Sequence, residues 1–195
     1  MHLCYGVFQS KTNIRTDDYG GSPEKKFRFL KEIIEAISTV WPTNRIAVRL
    51  APNGSFNDMG HADNHVTFSY VIAQLEQYHL AYLHVIDGLA FGFHDLCKQF
   101  TLYDARKVGY TGIMMGSTGY TKDLADGAIG SGVVDMVAFG RPFMSNPDLV
   151  ERFTNGWPLA ELAEYKAWWS PPYEVPSVGY SDYPNYTPPS ESKQE

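Results

Sequence analysis

Gly140 and Arg141 stand side by side where the apolar run Val133 to Phe139 ends, shortly before the string Asn146-Pro147-Asp148-Leu149-Val150 that reads as a capped helix start. Glycine lets a backbone approach a ligand closely, and the arginine fork matches the oxygens of a phosphate. The chemistry predicted is phosphate holding at the end of a strand; the plainer alternative is a turn glycine beside a surface arginine. Arg49 poses a similar choice within Ala47-Val48-Arg49-Leu50-Ala51-Pro52. A cation in an apolar strand calls for an anion, supplied by a ligand or by a structural carboxylate. The histidines His61, His65, His79, His84 and His94 have no spacing typical of a metal site. Each reads as a surface or core histidine, with His84 set apart by its place late in a strand. No metal is expected.

The elements that must position these residues alternate. Ser22-Pro23-Glu24 is a helix start: a hydroxyl cap, a proline at the first helical position, then an acid. Phe27, Leu30, Ile33, Ile34 and Ile37 recur at helical spacing, which predicts one apolar face through about Val40. Arg45 to Leu50 reads as a buried parallel strand, followed by a polar loop over 53–64. Phe68, Val71, Ile72, Leu75 and Tyr78 mark a second amphipathic helix, and Ala81 to Ile86 a second strand. A Gly- and aromatic-rich loop over 87–100 leads to a further helix. Gly112 to Gly116 is a third strand, Thr121 to Ile129 a helix, and Val133 to Phe139 the fourth strand. Four βα units in a row favour a parallel sheet with right-handed crossovers. Beyond 170, prolines sit among Tyr and Ser, which predicts an extended tail, frayed after Tyr186.

The chain has 195 residues and a formal net charge of −6. That is room for one domain with a core, but a complete (β/α)8 barrel typically takes about 250 residues. Scattered Lys and Arg in an acidic chain give no basic face for nucleic acid or anionic lipid. No apolar run reaches the roughly 18 residues of a membrane span, and the first residues have no signal-peptide character. Cys4 and Cys97 lie far apart, as in a reducing compartment rather than a disulfide scaffold. Together these features predict a soluble cytoplasmic protein with neither a nucleic-acid nor a membrane partner.

The strings Arg15-Thr16-Asp17-Asp18-Tyr19-Gly20-Gly21-Ser22, Val48 to Pro52, Phe139-Gly140-Arg141-Pro142-Phe143 and Gly179-Tyr180-Ser181-Asp182-Tyr183-Pro184 together resemble the old yellow enzyme family, FMN-dependent ene-reductases on a (β/α)8 barrel. The resemblance runs from about Phe8 to Pro184 and covers only the second half of such an enzyme. It implies a partial barrel over 1–170, the last four βα units, with a Pro/Tyr-rich extension over 171–195. It implies FMN as cofactor and NAD(P)H as reductant, with hydride passed to an activated, enone-like alkene. Arg49 is then placed at the polar edge of the flavin ring, where a cation stabilises the charge of the reduced flavin. Gly140 and Arg141 hold the FMN phosphate. Ser117-Thr118-Gly119-Tyr120 occupies the place of the family's Asn-Gly-Gly-(Tyr/Phe) turn, so Thr118 and Gly119 complete the phosphate cup. Thr118 replaces a glycine and pays a strain cost if the turn needs positive φ. Trp168, beside Trp169, aligns with an aromatic pair over the substrate face, packing of the C-terminal segment being the equal alternative. Arg15, Asp17, Asp18 and Tyr19 order the loop before the first long helix.

The resemblance also predicts an omission. The family activates the substrate carbonyl with a His-x-x-Asn or His-x-x-His pair, which by spacing from Arg15 falls just before Met1, with its proton-donating tyrosine near His2. The alternative expectation is therefore a catalytically incompetent half-barrel, a truncated product that keeps part of the FMN site and self-associates through exposed strand edges.

Overall fold

The structure, a computed structural model, describes residues 3–87, 93, 95–164, 179 and 182–189. It divides into two compact units, Met1–Ala138 and Phe139–Glu195. The first holds four strands: β1 (Ala47–Leu50), β2 (Tyr82–Ile86), β3 (Met114–Ser117) and β4 (Met136–Ala138). All pair in parallel, in the spatial order β1-β2-β3-β4. Each strand lies beside the next in sequence, with no reversal of order. A doubly wound sheet reverses at a switch point; a sheet that never reverses is wound in one direction, as in a barrel.

The helices of this unit are α1 (Leu3–Phe8), α2 (Pro23–Ser38), α3 (Asn64–Leu75), α4 (Leu102–Lys107) and α5 (Lys122–Gly130). The Ser22 hydroxyl caps α2 by accepting the Lys25 N–H, with Pro23 in the first turn. Phe27, Leu30 and Ile34 are buried from α2, and Thr67, Phe68, Val71, Ile72 and Leu75 from α3. The apolar ones among them meet Val48, Leu50, Leu83 and Val85 in one core. The apolar face of α2 stops short of the extent expected. Ile37 and Val40 are exposed, and Ile37 lines a surface groove with Trp41, Arg45 and Ile46.

Two features depart from the sequence pattern. The β4 ladder takes only three of the seven residues in the run Val133–Phe139, because its partner β3 is itself only four residues long; Val133 and Val134 are buried without belonging to it. Helix α1 carried no start signal, yet it ends in Phe8, which is fully buried edge-on to Phe68 at 5.9 Å.

The second unit contains α6 (Arg141–Ser145) and α7 (Leu149–Asn155). Asp148 and Arg152, both buried, pair at 2.7 Å across one turn of α7. The Tyr186 N–H donates to the same Asp148 carboxylate, and the Tyr186 ring lies 5.1 Å from that of Trp157. Pro184, whose carbonyl accepts from the Arg152 guanidinium, and Tyr186 therefore meet α7. The boundary expected at residue 170 and the residue Trp168 lie outside the described residues.

Candidate functional site

Side chains alternate across a strand. In β1 and β2, Val48, Leu50, Leu83 and Val85 go to the helices, leaving Arg49, Tyr82, His84 and Ile86 on the other face. The register lines up Arg49, His84, Met115 and Met136 across the four strands. Ser117 follows Met115 on the same face, and its hydroxyl shares a 2.8 Å hydrogen bond with His84 Nε2. Burial, and then the positive charge of Arg49, lower the His84 pKa to about 4, so the ring is neutral at pH 7. Arg49 itself is exposed on this face. Its charge reaches His84, the neighbour to which the register pairs it.

One step further along the chain lies the turn Ser117-Thr118-Gly119-Tyr120. Thr118 has φ 84° and Gly119 φ 88°, so the strain condition attached to Thr118 is met. Among the described residues, nothing accepts the backbone N–H of Thr118 or Gly119. Successive N–H groups left open in a turn of this kind form an anion-binding concavity. A Cβ added at Gly119 would meet nothing within 4 Å. Asp87, one residue past β2, accepts the Ser117 N–H at 3.3 Å and the Tyr120 O–H at 2.7 Å. Burial raises the Asp87 pKa against these hydrogen bonds. Burial and the bond to Asp87 raise that of Tyr120.

In the second unit, Gly140 precedes α6 and Arg141 opens it, half-buried. A Cβ at Gly140 would also meet nothing within 4 Å among the described residues. Neither packing nor a positive φ calls for glycine there, where φ is −98°. Arg49 thus shares one strand-end cluster with the turn that carries Thr118 and Gly119, while Gly140 and Arg141 belong to the second unit. Each set by itself offers donor chemistry that suits a phosphate: open amides in the turn of the first unit, and an arginine beside a glycine in the second.

Of the remaining histidines, His94 lies outside the described residues. His61 bonds Asp63 at 2.7 Å and His65 lies 3.7 Å from Asp104. Among the described residues, no His/Cys/Asp/Glu group could hold a metal, and Cys97 is a free thiol. His61 and Asn64 happen to stand in His-x-x-Asn spacing. Asn64, however, is buried and donates to the Pro52 carbonyl, while His61 is turned to Asp63. Arg15, Asp17, Asp18 and Tyr19 do order the loop before α2: Arg15 pairs with Asp17, Arg28 with Asp18, and the Tyr19 O–H donates to Glu32. Sequence reasoning passed over Asp87. The signal available was an acid just past a strand and a tyrosine in the turn that follows the next one.

Comparison with known proteins bears on this geometry. The family model described as NADH:flavin oxidoreductase / NADH oxidase family matches residues 3–160. The 12-oxophytodienoate reductase 2 of Arabidopsis thaliana is 30% identical over 186 residues, 94% of this chain and 48% of that protein. A probable flavin mononucleotide-dependent alkene reductase of Leishmania infantum is 32% identical over 185 residues, covering 94% and 47%. The solved structure of the old yellow enzyme homologue from Zymomonas mobilis superimposes with a TM-score of 0.82 at 31% identity, covering 93% and 50%. The chain spans about half the length of the curated relatives it matches. The four-stranded parallel sheet is thus part of the (β/α)8 barrel of those relatives.

Proposed function

The chain belongs to the NADH:flavin oxidoreductase / NADH oxidase family, of which old yellow enzymes are members, and from that premise we propose that it serves an FMN-dependent alkene reductase. The observation that carries the reading is the turn after β3, where the N–H groups of Thr118 and Gly119 are open at consecutive positive φ. In this reading those amides hold the FMN phosphate, and Gly140 and Arg141 keep the phosphate-holding role that the sequence resemblance implies for them. Arg49 would face the flavin ring, where its fixed charge would favour the charge of the reduced flavin. His84 stays neutral beside it and adds no second charge. FMN, when bound, supplies hydride transfer from NAD(P)H to an alkene activated by a carbonyl. The names of the relatives support an enone-like substrate.

The test is anaerobic. Protein reconstituted with FMN is mixed with NADPH or NADH, and 2-cyclohexenone is then added. Bleaching of the flavin band followed by its return supports the reading. FMN that stays bound and oxidised through both additions overturns it.

A second reading, a non-catalytic half-barrel that keeps part of the flavin site, is favoured by one observation. Among the described residues the outer edges of β1 and β4 are unpaired by any other strand. This reading predicts FMN binding without bleaching, and self-association through those edges.

A further inference from the structure

We propose that Asp87 is a positioning residue for the flavin phosphate: its carboxylate, by accepting the Ser117 N–H and the Tyr120 O–H, holds the Thr118–Gly119 amides in their anion-binding arrangement. The inference rests on the phosphate reading of that turn and adds the group that shapes it. Thr118 is a β-branched residue at φ 84°, a conformation such residues avoid unless their surroundings enforce it. The enforcing contacts lie at the two ends of the turn. At one end Ser117 is tied through its N–H to Asp87 and through its hydroxyl to His84. At the other, the Tyr120 hydroxyl reaches back to the second oxygen of Asp87 at 2.7 Å. One carboxylate therefore spans the two positive-φ residues, and β2 fixes where that carboxylate starts. The Tyr120 ring also lies over Gly116, where an added Cβ would come within 3.0 Å of its hydroxyl. The ring is therefore held in place as well as its oxygen. Donors fixed before binding need no ordering when an anion arrives, and that is where a brace gains affinity.

The brace acts on the phosphate donors alone, so it discriminates FMN from riboflavin, which has the same ring without the phosphate. The variants are Asp87→Asn, which keeps the shape but loses the charge and one acceptor, and Tyr120→Phe, which removes the hydroxyl. In each, FMN binding should weaken about tenfold, the scale of one hydrogen bond to a charged group, while riboflavin binding changes less than about twofold. Exchange of the Ser117 amide proton, followed by NMR without flavin, should quicken in Asp87→Asn at an unchanged melting temperature. Unchanged exchange overturns the brace. Faster exchange with an unchanged FMN-to-riboflavin ratio overturns its role in phosphate binding. Equal weakening of both flavins in both variants reduces Asp87 to general structural support and also overturns the proposal. If the unaltered protein binds FMN no better than riboflavin, the phosphate reading itself falls, and this inference with it.

Discussion

Thr118 and His84 carry the predictions that belong to single residues. A non-glycine residue at φ 84° stores about 1–3 kcal/mol of strain, and glycine gives back part of that in unfolded-state entropy. Thr118→Gly should therefore raise stability by about 1 kcal/mol in chemical denaturation; a loss of stability would mean that the threonine side chain contributes more than its backbone costs. That such strain would arise followed from the sequence only on the condition of a positive-φ turn, because the alignment located the residue but not its dihedral. His84 is a question of pH. Its folded pKa of about 4 lies below the ordinary 6.5, so the unfolded chain binds the extra proton between those values. Stability from the neutral ring is complete above about pH 6.5 and declines as pH falls toward 4. A His84→Gln variant should show a flatter denaturation midpoint over that window, and an identical slope would contradict the burial argument. The place of Arg49 within a strand was legible because a cation in an apolar run stands out. The His84–Ser117 pair and the Asp87 brace were not, since each joins residues 30 or more positions apart that only the strand register brings together.

At the scale of elements, α4 and the segment before α2 show how sheet and helices are tied. Thr101 and Asp104 form a reciprocal capping box at the start of α4. Burial pushes the Asp104 pKa up, but hydrogen bonds from Thr101 and Lys98 outweigh it and take the value to about 2. The folded pKa is thus below the unfolded one. This cap is fully in place above about pH 4 and is lost as pH falls toward 2. Thr101→Ala should cost about 1 kcal/mol at neutral pH by thermal denaturation, and no cost would mean that packing alone holds α4. Lys26 is fully buried on α2, with its ammonium on Ser10 and on Asp63 at 3.1 Å. The neighbouring Gln9 side chain accepts the Gly60 N–H at 2.9 Å. This network staples the segment after α1 to the loop before α3. Lys26→Met should destabilise by about 3 kcal/mol because it strands the Asp63 carboxylate, and a neutral effect would show that Asp63 simply takes up water. The order of helices and strands could be read from apolar periodicity. The staple could not: a lysine between the polar Lys25 and the apolar Phe27 looks like a solvent-facing residue until α2 is packed.

For the whole molecule, the sequential parallel order β1-β2-β3-β4 and the match to about half of each relative describe the same object, a stretch of a (β/α)8 barrel. Its fold class was legible because βα alternation leaves few alternatives. Among the described residues, the outer edges of β1 and β4 pair with no further strand, and an unpaired strand edge is a template for association. Sedimentation of the purified chain should therefore show association that grows with concentration, and a strictly monomeric species would mean that the edges are covered within the chain. The central claim is that this chain grips FMN by its phosphate, and the most direct measurement is a flavin fluorescence titration of the unaltered chain beside Arg141→Ala. The account predicts saturable quenching, with affinity falling about tenfold or more in the variant. Equal affinity in the two proteins, or no saturable quenching by a folded chain, would contradict it.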